Sequence, residues 1–271
     1  DAYKKSLMEL LGQESKLTRT LHDTARLHPQ RVVFAEGGHP TMMKAAVQAK
    51  TEGICQPILL GNPDRLNRLA QRLKLDLSDI EIVDMRADQE QGRRATYAKH
   101  LAKKRARQGY NFEEAYDKMY ERNYFGMMMV ETGEADAFIT GLYTKYSNTI
   151  KVAKEVVGIR PEYKTFATMH ILNTKKGTFY ISDTLINRHP DENVLMDVAK
   201  LSAHTVQFFN EEPHIAMISY SNFGTDEVGS PMKVHLAVEE MQKQYPYLAI
   251  DGEMQVNFAL NKELRDDKYP F

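Results

Sequence analysis

Cysteine is almost missing from this sequence: Cys55 is the single example in 271 residues. One cysteine forms no intramolecular disulfide and supplies too few ligands for a cysteine-based zinc site, so a reducing compartment is expected. Cys55 itself sits between Gly53-Ile54 and an apolar run, and packing is its expected role. Long apolar stretches are missing too. Nothing approaches the ~20 residues of a membrane span, and no apolar signal core follows the opening Asp1-Ala2-Tyr3-Lys4-Lys5. Net charge is nearly absent, 36 basic residues standing against 37 acidic ones. No overall field then recruits nucleic acid or an anionic membrane, and any bound anion has to be held by local groups. Several fingerprints are also lacking: the G-x-G-x-x-G of nicotinamide sites, the G-x-x-x-x-G-K-[ST] phosphate loop, H-E-x-x-H, and a serine nucleophile elbow. The expectation is a soluble, cytoplasmic protein with no metal and no Ser-His-Asp chemistry.

What is present is an α/β grammar. At roughly one domain per 150 residues, the length suggests two domains. The chain starts without methionine, inside what reads as an amphipathic helix carrying Leu7, Leu10 and Leu11, so a piece of a longer polypeptide is expected. Helical spacing through Leu17, Leu21 and Ala25 runs to Pro29, and Arg31-Val32-Val33-Phe34-Ala35 follows as a buried strand. Glu36-Gly37-Gly38-His39-Pro40 turns into a helix with Met43, Ala46 and Ala49 on one side. Pro57 to Leu60 is the next strand, Asn62 caps and Pro63 starts a helix, and Ile80 to Val83 is a third strand. Such alternation predicts a parallel sheet with right-handed crossovers. Two long polar helices are expected over 94–107 and 112–131, broken at Gly109-Tyr110-Asn111, with Met127-Met128-Met129 as soft core filler. The strand Ala137 to Thr140 and a helix over 147–157 close a first α/β domain at 1–159.

A second α/β domain, 160–271, begins with an antiparallel hairpin of 166–172 and 178–181 around Lys175-Lys176-Gly177. A helix over 191–209, the strand Ile215 to Ile218, a helix over 232–242 and the strand Leu248 to Ile250 complete it.

Ligands in parallel α/β sheets bind beyond the carboxyl ends of strands. Four such exits are polar or small: Glu36-Gly37-Gly38, Gly141 to Asn148, Ser219 to Thr225, and Asp251 to Gln255. Ser219, Ser221, Asn222, Gly224 and Thr225 offer hydroxyls, an amide and open backbone to phosphate or carbonyl oxygens, or form an ordinary serine-rich turn. Asp251 and Glu253, two apart, share one side of an extended chain and suit a proton relay, or belong to a capped turn. Glu36 before two glycines is equally double-edged: a helix start that cradles an anion, or a turn. The clusters Lys103, Lys104, Arg105, Arg107 and Lys145, Lys151, Lys154 read as nucleotide-phosphate contacts or as solvated helix faces.

Taken in order, Arg31 to Gly37, Pro57 to Gly61, Gly133 to Ala137 with Gly141, Ser219 to Gly224 and Asp251-Gly252-Glu253-Met254-Gln255 resemble the phosphate acetyl/butyryltransferase family across nearly the whole chain. Leu17-Thr18-Arg19, Ser221-Asn222-Phe223-Gly224 and Asp251-Gly252-Glu253-Met254 are most similar to the C-terminal domain of bacterial multidomain malic enzymes. The resemblance implies two α/β domains with mainly parallel sheets flanked by helices. It also implies acetyl-CoA as a ligand held among Arg105, Thr144, Lys151, Ser219, Ser221, Asn222, Gly224, Thr225, Asp251 and Glu253, with no catalytic residue and no cofactor in this domain.

A malic-enzyme half in cis, carrying NAD(P) and a divalent metal, and a homo-oligomer are implied partners. The family's phosphate-binding arginines fall at Arg105, at Thr41 and at Lys151; Thr41 has no charge and Lys151 lacks the bidentate fork. Past Tyr269-Pro270-Phe271 the family continues with a Ser-Arg-Gly segment and an aspartate base, so the second domain reads as cut short. The expected function is an acetyl-CoA-sensing regulatory domain of an NADP-dependent malic enzyme. The alternatives are an active acyltransferase between CoA and phosphate, and a ligand-free dimerisation module built on the methionine-rich helix.

Overall fold

A computed structural model describes residues 16–174 and 176–270. The expected helix at Leu7, Leu10 and Leu11 and the turn residue Lys175 lie outside the described residues. The chain divides into two compact units, one spanning Thr18–Gly158 and the other running from Ile159 onward.

The first unit contains α1 (Lys16–Leu27), β1 (Gln30–Phe34), α2 (Pro40–Thr51), β2 (Cys55–Leu60), α3 (Pro63–Leu73), β3 (Glu81–Val83), α4 (Gln91–Arg105), α5 (Phe112–Lys118), α6 (Arg122–Glu131), β4 (Ala137–Ile139) and α7 (Tyr146–Val156). The start signals work as their chemistry demands. Asn62 Oδ1 accepts the Arg65 N–H at 3.2 Å ahead of Pro63, and His39 Nδ1 accepts the Thr41 N–H at 3.2 Å ahead of Pro40. The four strands are all parallel, in the order β3-β2-β1-β4. Period-two alternation sends Val33, Ile58 and Leu60 into a core with Tyr97, Leu101, Phe125 and Met128, and sends Val32, Phe34 and Leu59 into a second core with Met43, Ala46 and Leu66. Helices therefore cover both faces, as a parallel sheet requires.

The single polar helix expected over 112–131 is in fact two. α5 ends at Lys118, a turn follows, and α6 begins at Arg122. α6 is not polar: Asn123 through Met129 are all buried. Its three methionines are all buried in the first of these cores, so the surface that motivated a dimerisation module is not there. Gly126 lets the Phe138 ring lie against this helix, since a Cβ there would collide with it.

The second unit contains β5 (Met169–Thr174), β6 (Gly177–Ser182), α8 (Glu192–Phe208), β7 (His214–Ile218), α9 (Gly229–Gln244), β8 (Ala249–Met254), α10 (Val256–Leu260) and α11 (Lys262–Lys268). β5 and β6 form the expected antiparallel hairpin, tied to α8 by Ser202 Oγ donating to Ser182 Oγ at 2.8 Å. β7 and β8 are parallel, and α8 and α9 pack Met196, Ala199, Ala203, Ala237 and Met241 against Leu248 and Ile250. Asp251 to Met254, expected as a strand exit, belongs to the body of β8. The register slips between Met217 and Ile218, so Gly252 faces Met217, Met254 faces Ile218, and Glu253 occupies the bulge. No described helix is long and apolar enough to cross a membrane.

Candidate functional site

In the first unit the strand order turns at β1 and β4: the chain moves from β1 to β2 on one side and returns to β4 on the other. Such switch points open a crevice at the strand ends, where ligands usually enter. Here the crevice holds a side chain of the protein itself. Glu36, 1% exposed, accepts the Gly141 N–H at 3.2 Å, the Tyr143 N–H at 3.4 Å and the Thr140 hydroxyl at 3.1 Å. The anion expected on this turn is therefore Glu36. Gly37 is required by close packing, since a Cβ would lie 2.9 Å from the Leu60 carbonyl.

The three sequence-predicted residues of this unit do not converge. Arg105 donates Nε to the Glu155 carbonyl at 2.5 Å and Nη2 to the Lys154 carbonyl, which makes it the cap of the α7 C-terminus. Its neighbour Lys104 likewise serves the Val157 carbonyl, at 3.0 Å, and Glu131. Thr144 is half-buried in the β4 exit loop. Lys151 is exposed, with Glu155 3.9 Å away. Against the penalty of its burial, the hydroxyls of Tyr110 and Tyr124 hold the Glu155 carboxyl below its ordinary value. Burial and this same carboxylate push the Tyr110 hydroxyl up to about 12.

In the second unit the predicted residues do come together. The loop after β7 folds back on itself: Ser221 and Thr225 share a hydroxyl–hydroxyl bond of 2.8 Å, the Ser221 N–H reaches Ser219 Oγ at 3.4 Å, and the Thr225 N–H reaches the Asn222 carbonyl at 3.0 Å. β8 then grips it from below. Ser219 N–H donates to the Met254 carbonyl at 3.0 Å, Phe223 N–H to the Glu253 carbonyl at 2.8 Å, and Gly224 N–H to Glu253 Oε1 at 2.6 Å. Phe223 and Gly224 both have positive φ, 44° and 78°, and their two amides are taken up by different groups of one residue, the Glu253 carbonyl and the Glu253 carboxylate.

Asn222, 8% exposed, has its Oδ1 fixed by the Gln255 N–H at 2.8 Å, and among the described residues its NH2 has no protein partner. Asp251 and Glu253 do not form the expected pair: the bulge buries Glu253 completely and leaves Asp251 exposed, accepting the Gly252 N–H at 2.8 Å. A cavity of about 350 Å³ opens beside the loop, lined by Phe223, Asp251, Arg265, Asp266, Tyr269 and Pro270. Among the described residues no group of three or more His, Cys, Asp or Glu side chains is arranged to hold a metal ion.

Residues 16–271 match the family described as phosphate acetyl/butaryl transferase. The chain belongs to the phosphate acetyl/butaryl transferase family. Two kinds of relative share it. The NADP-dependent malic enzyme of Escherichia coli (strain K12) is 32% identical over all of this chain, which covers 36% of that protein. A phosphate acetyltransferase of Thermoanaerobacterium thermosaccharolyticum is 30% identical over 94% of this chain and 78% of its own length. Among solved structures, the EutD phosphotransacetylase from Staphylococcus aureus superposes with a TM-score of 0.81 at 26% identity, covering 94% of this chain and 77% of that one. The chain thus spans about a third of the malic enzymes it resembles and about three quarters of the Thermoanaerobacterium and Staphylococcus proteins. As a member of the acetyl/butaryl transferase family it carries two features that motif reading missed. Glu36 as an internal plug was half visible, in the glutamate set against two glycines; the His235–Glu253 contact, 3.2 Å from Nδ1 to Oε2, has no local signal because His235 lies within α9.

Proposed function

We propose that the chain is the acyl-CoA-sensing part of a malic enzyme, in which acetyl-CoA bound at the Ser219–Thr225 loop shifts the working equilibrium of an attached malic-enzyme half. That half would carry NADP and a divalent metal and decarboxylate malate oxidatively, within a cytoplasmic homo-oligomer. The observation that carries the ligand part is Asn222: its carbonyl is locked by Gln255 while its NH2 group has no protein partner among the described residues, a donor oriented by that lock and open to a carbonyl or phosphate oxygen. What supports the regulatory part is the full-length likeness to a third of each NADP-dependent malic enzyme. A ligand regulates only by binding one conformational state more tightly than another.

Calorimetry with acetyl-CoA tests the ligand part. Asn222→Asp keeps the acceptor for Gln255 and removes the free donor, so affinity is expected to fall at least tenfold, about 1.4 kcal/mol. Unchanged affinity in that variant would remove Asn222 from the site. A second reading, acyl transfer between CoA and phosphate, is favoured by the 30% identity over most of a phosphate acetyltransferase. Acetyl phosphate formation from acetyl-CoA and phosphate by the full-length protein would establish it.

A further inference from the structure

We propose that His235 is a positioning residue for the Ser219–Thr225 loop and acts through the buried carboxylate of Glu253. Glu253 is fully buried and spends three of its groups on this region: the backbone carbonyl accepts Phe223 N–H, Oε1 accepts Gly224 N–H, and Oε2 faces α9. No lysine or arginine among the described residues pairs with this carboxylate. A buried carboxylate oxygen without a donor is strongly disfavoured. The group within reach is the His235 imidazole, with Nδ1 3.2 Å from Oε2. Neither atom has another polar partner among the described residues, and as placed they stand at ion-pair distance without hydrogen-bond alignment. A small ring rotation completes the bond, provided the proton sits on Nδ1.

The other ring nitrogen faces a second carboxylate. Nε2 lies 3.6 Å from Glu239 Oε1, one helical turn along α9, and Lys243 in turn stands 3.7 Å from Glu239 Oε2. The imidazole thus lies between two carboxylates, one buried and one exposed, and with its proton on Nδ1 it donates to the buried one. A carboxylate held at both oxygens is pre-oriented, so His235 at Oε2 and the Gly224 N–H at Oε1 fix Glu253, and Glu253 fixes the two left-handed residues that shape the loop. α9 starts at Gly229, four residues past Thr225, which makes the same helix both the continuation of the loop and its clamp. A movement of α9 is therefore transmitted to the loop through one side-chain contact as well as through the backbone. The consequence for acyl-CoA affinity rests on the function proposed above; the positioning role does not.

Hydrogen exchange on the whole chain, read at the Phe223 and Gly224 amides, tests the inference. His235→Ala is expected to speed exchange there at least tenfold while α8 and the strands of the first unit keep their rates. His235→Asn, whose amide nitrogen takes the place of Nδ1, is expected to restore most of the protection, and acetyl-CoA affinity measured by calorimetry should follow the same order. Unchanged exchange at Phe223 and Gly224 in His235→Ala would overturn the proposal, as would an equal rise across α8 and β7, or a failure of His235→Asn to rescue. Selective loss of protection together with no acetyl-CoA binding by the wild-type chain would uphold the positioning role and overturn the ligand reading alone.

Discussion

Glu36 and Glu253 stand at the ends of β1 and β8, and each satisfies loop amides that would otherwise need water or an outside anion. At this residue scale the protein shows how narrowly its donors are shared out. Arg31 and Asp136 give the test with a pH axis. Arg31 donates Nε, Nη2 and its backbone N–H to the Asp136 carboxylate, at 3.0, 2.8 and 2.9 Å, and so holds that carboxyl down at about 2. A folded-state value below the unfolded value of about 4 means that the stabilisation is complete above pH ~4 and fades as pH falls toward 2. Asp136→Asn should therefore be less stable than the wild type in urea at pH 7, with the gap narrowing at pH 3; a gap independent of pH would contradict this.

Gly252 gives a steric test. Its φ of 137° suits only glycine, and a Cβ would lie 2.5 Å from the Met217 carbonyl, so Gly252→Ala should cost about 1–3 kcal/mol in a urea titration. The Asn62 cap and the Pro63 start were legible because their chemistry is local. The fate of Asp251 and Glu253 was not, because strand alternation assumes a regular ladder and the bulge at Glu253 breaks it.

At the scale of elements, the capping of α7 separates two readings of Arg105. As a phosphate ligand it would govern affinity; as the donor to the Glu155 and Lys154 carbonyls it governs stability. The structure supports the second role, so Arg105→Ala is expected to lower the stability of the first unit by about 1.5–3 kcal/mol, the range for hydrogen bonds from a charged donor, and to leave acetyl-CoA affinity within about twofold. A tenfold loss of affinity in a stable variant would restore the ligand role. The α/β order, the strand positions and the β5–β6 hairpin were legible because apolar periods of two and 3.6 separate them. The break between α5 and α6 was hidden: Met119-Tyr120-Glu121 contains neither glycine nor proline, and α6 is apolar nearly all round, so no periodic stripe marks its start.

At the scale of the molecule, the cores of both units are formed from side chains the sequence already marked as apolar and periodic, and the family follows from motifs spread along the whole length. The ligand was less legible, because the chain resembles phosphate acetyltransferases and malic enzymes alike and the donors of its loops are largely spent inside the protein. The most direct test of the central claim is a hydrogen-exchange footprint of acetyl-CoA on the whole chain. Saturating acetyl-CoA is expected to slow exchange across 219–225 and at Gln255, whose N–H is held by Asn222. Protection confined to other segments, or none at all on a folded chain, would contradict it.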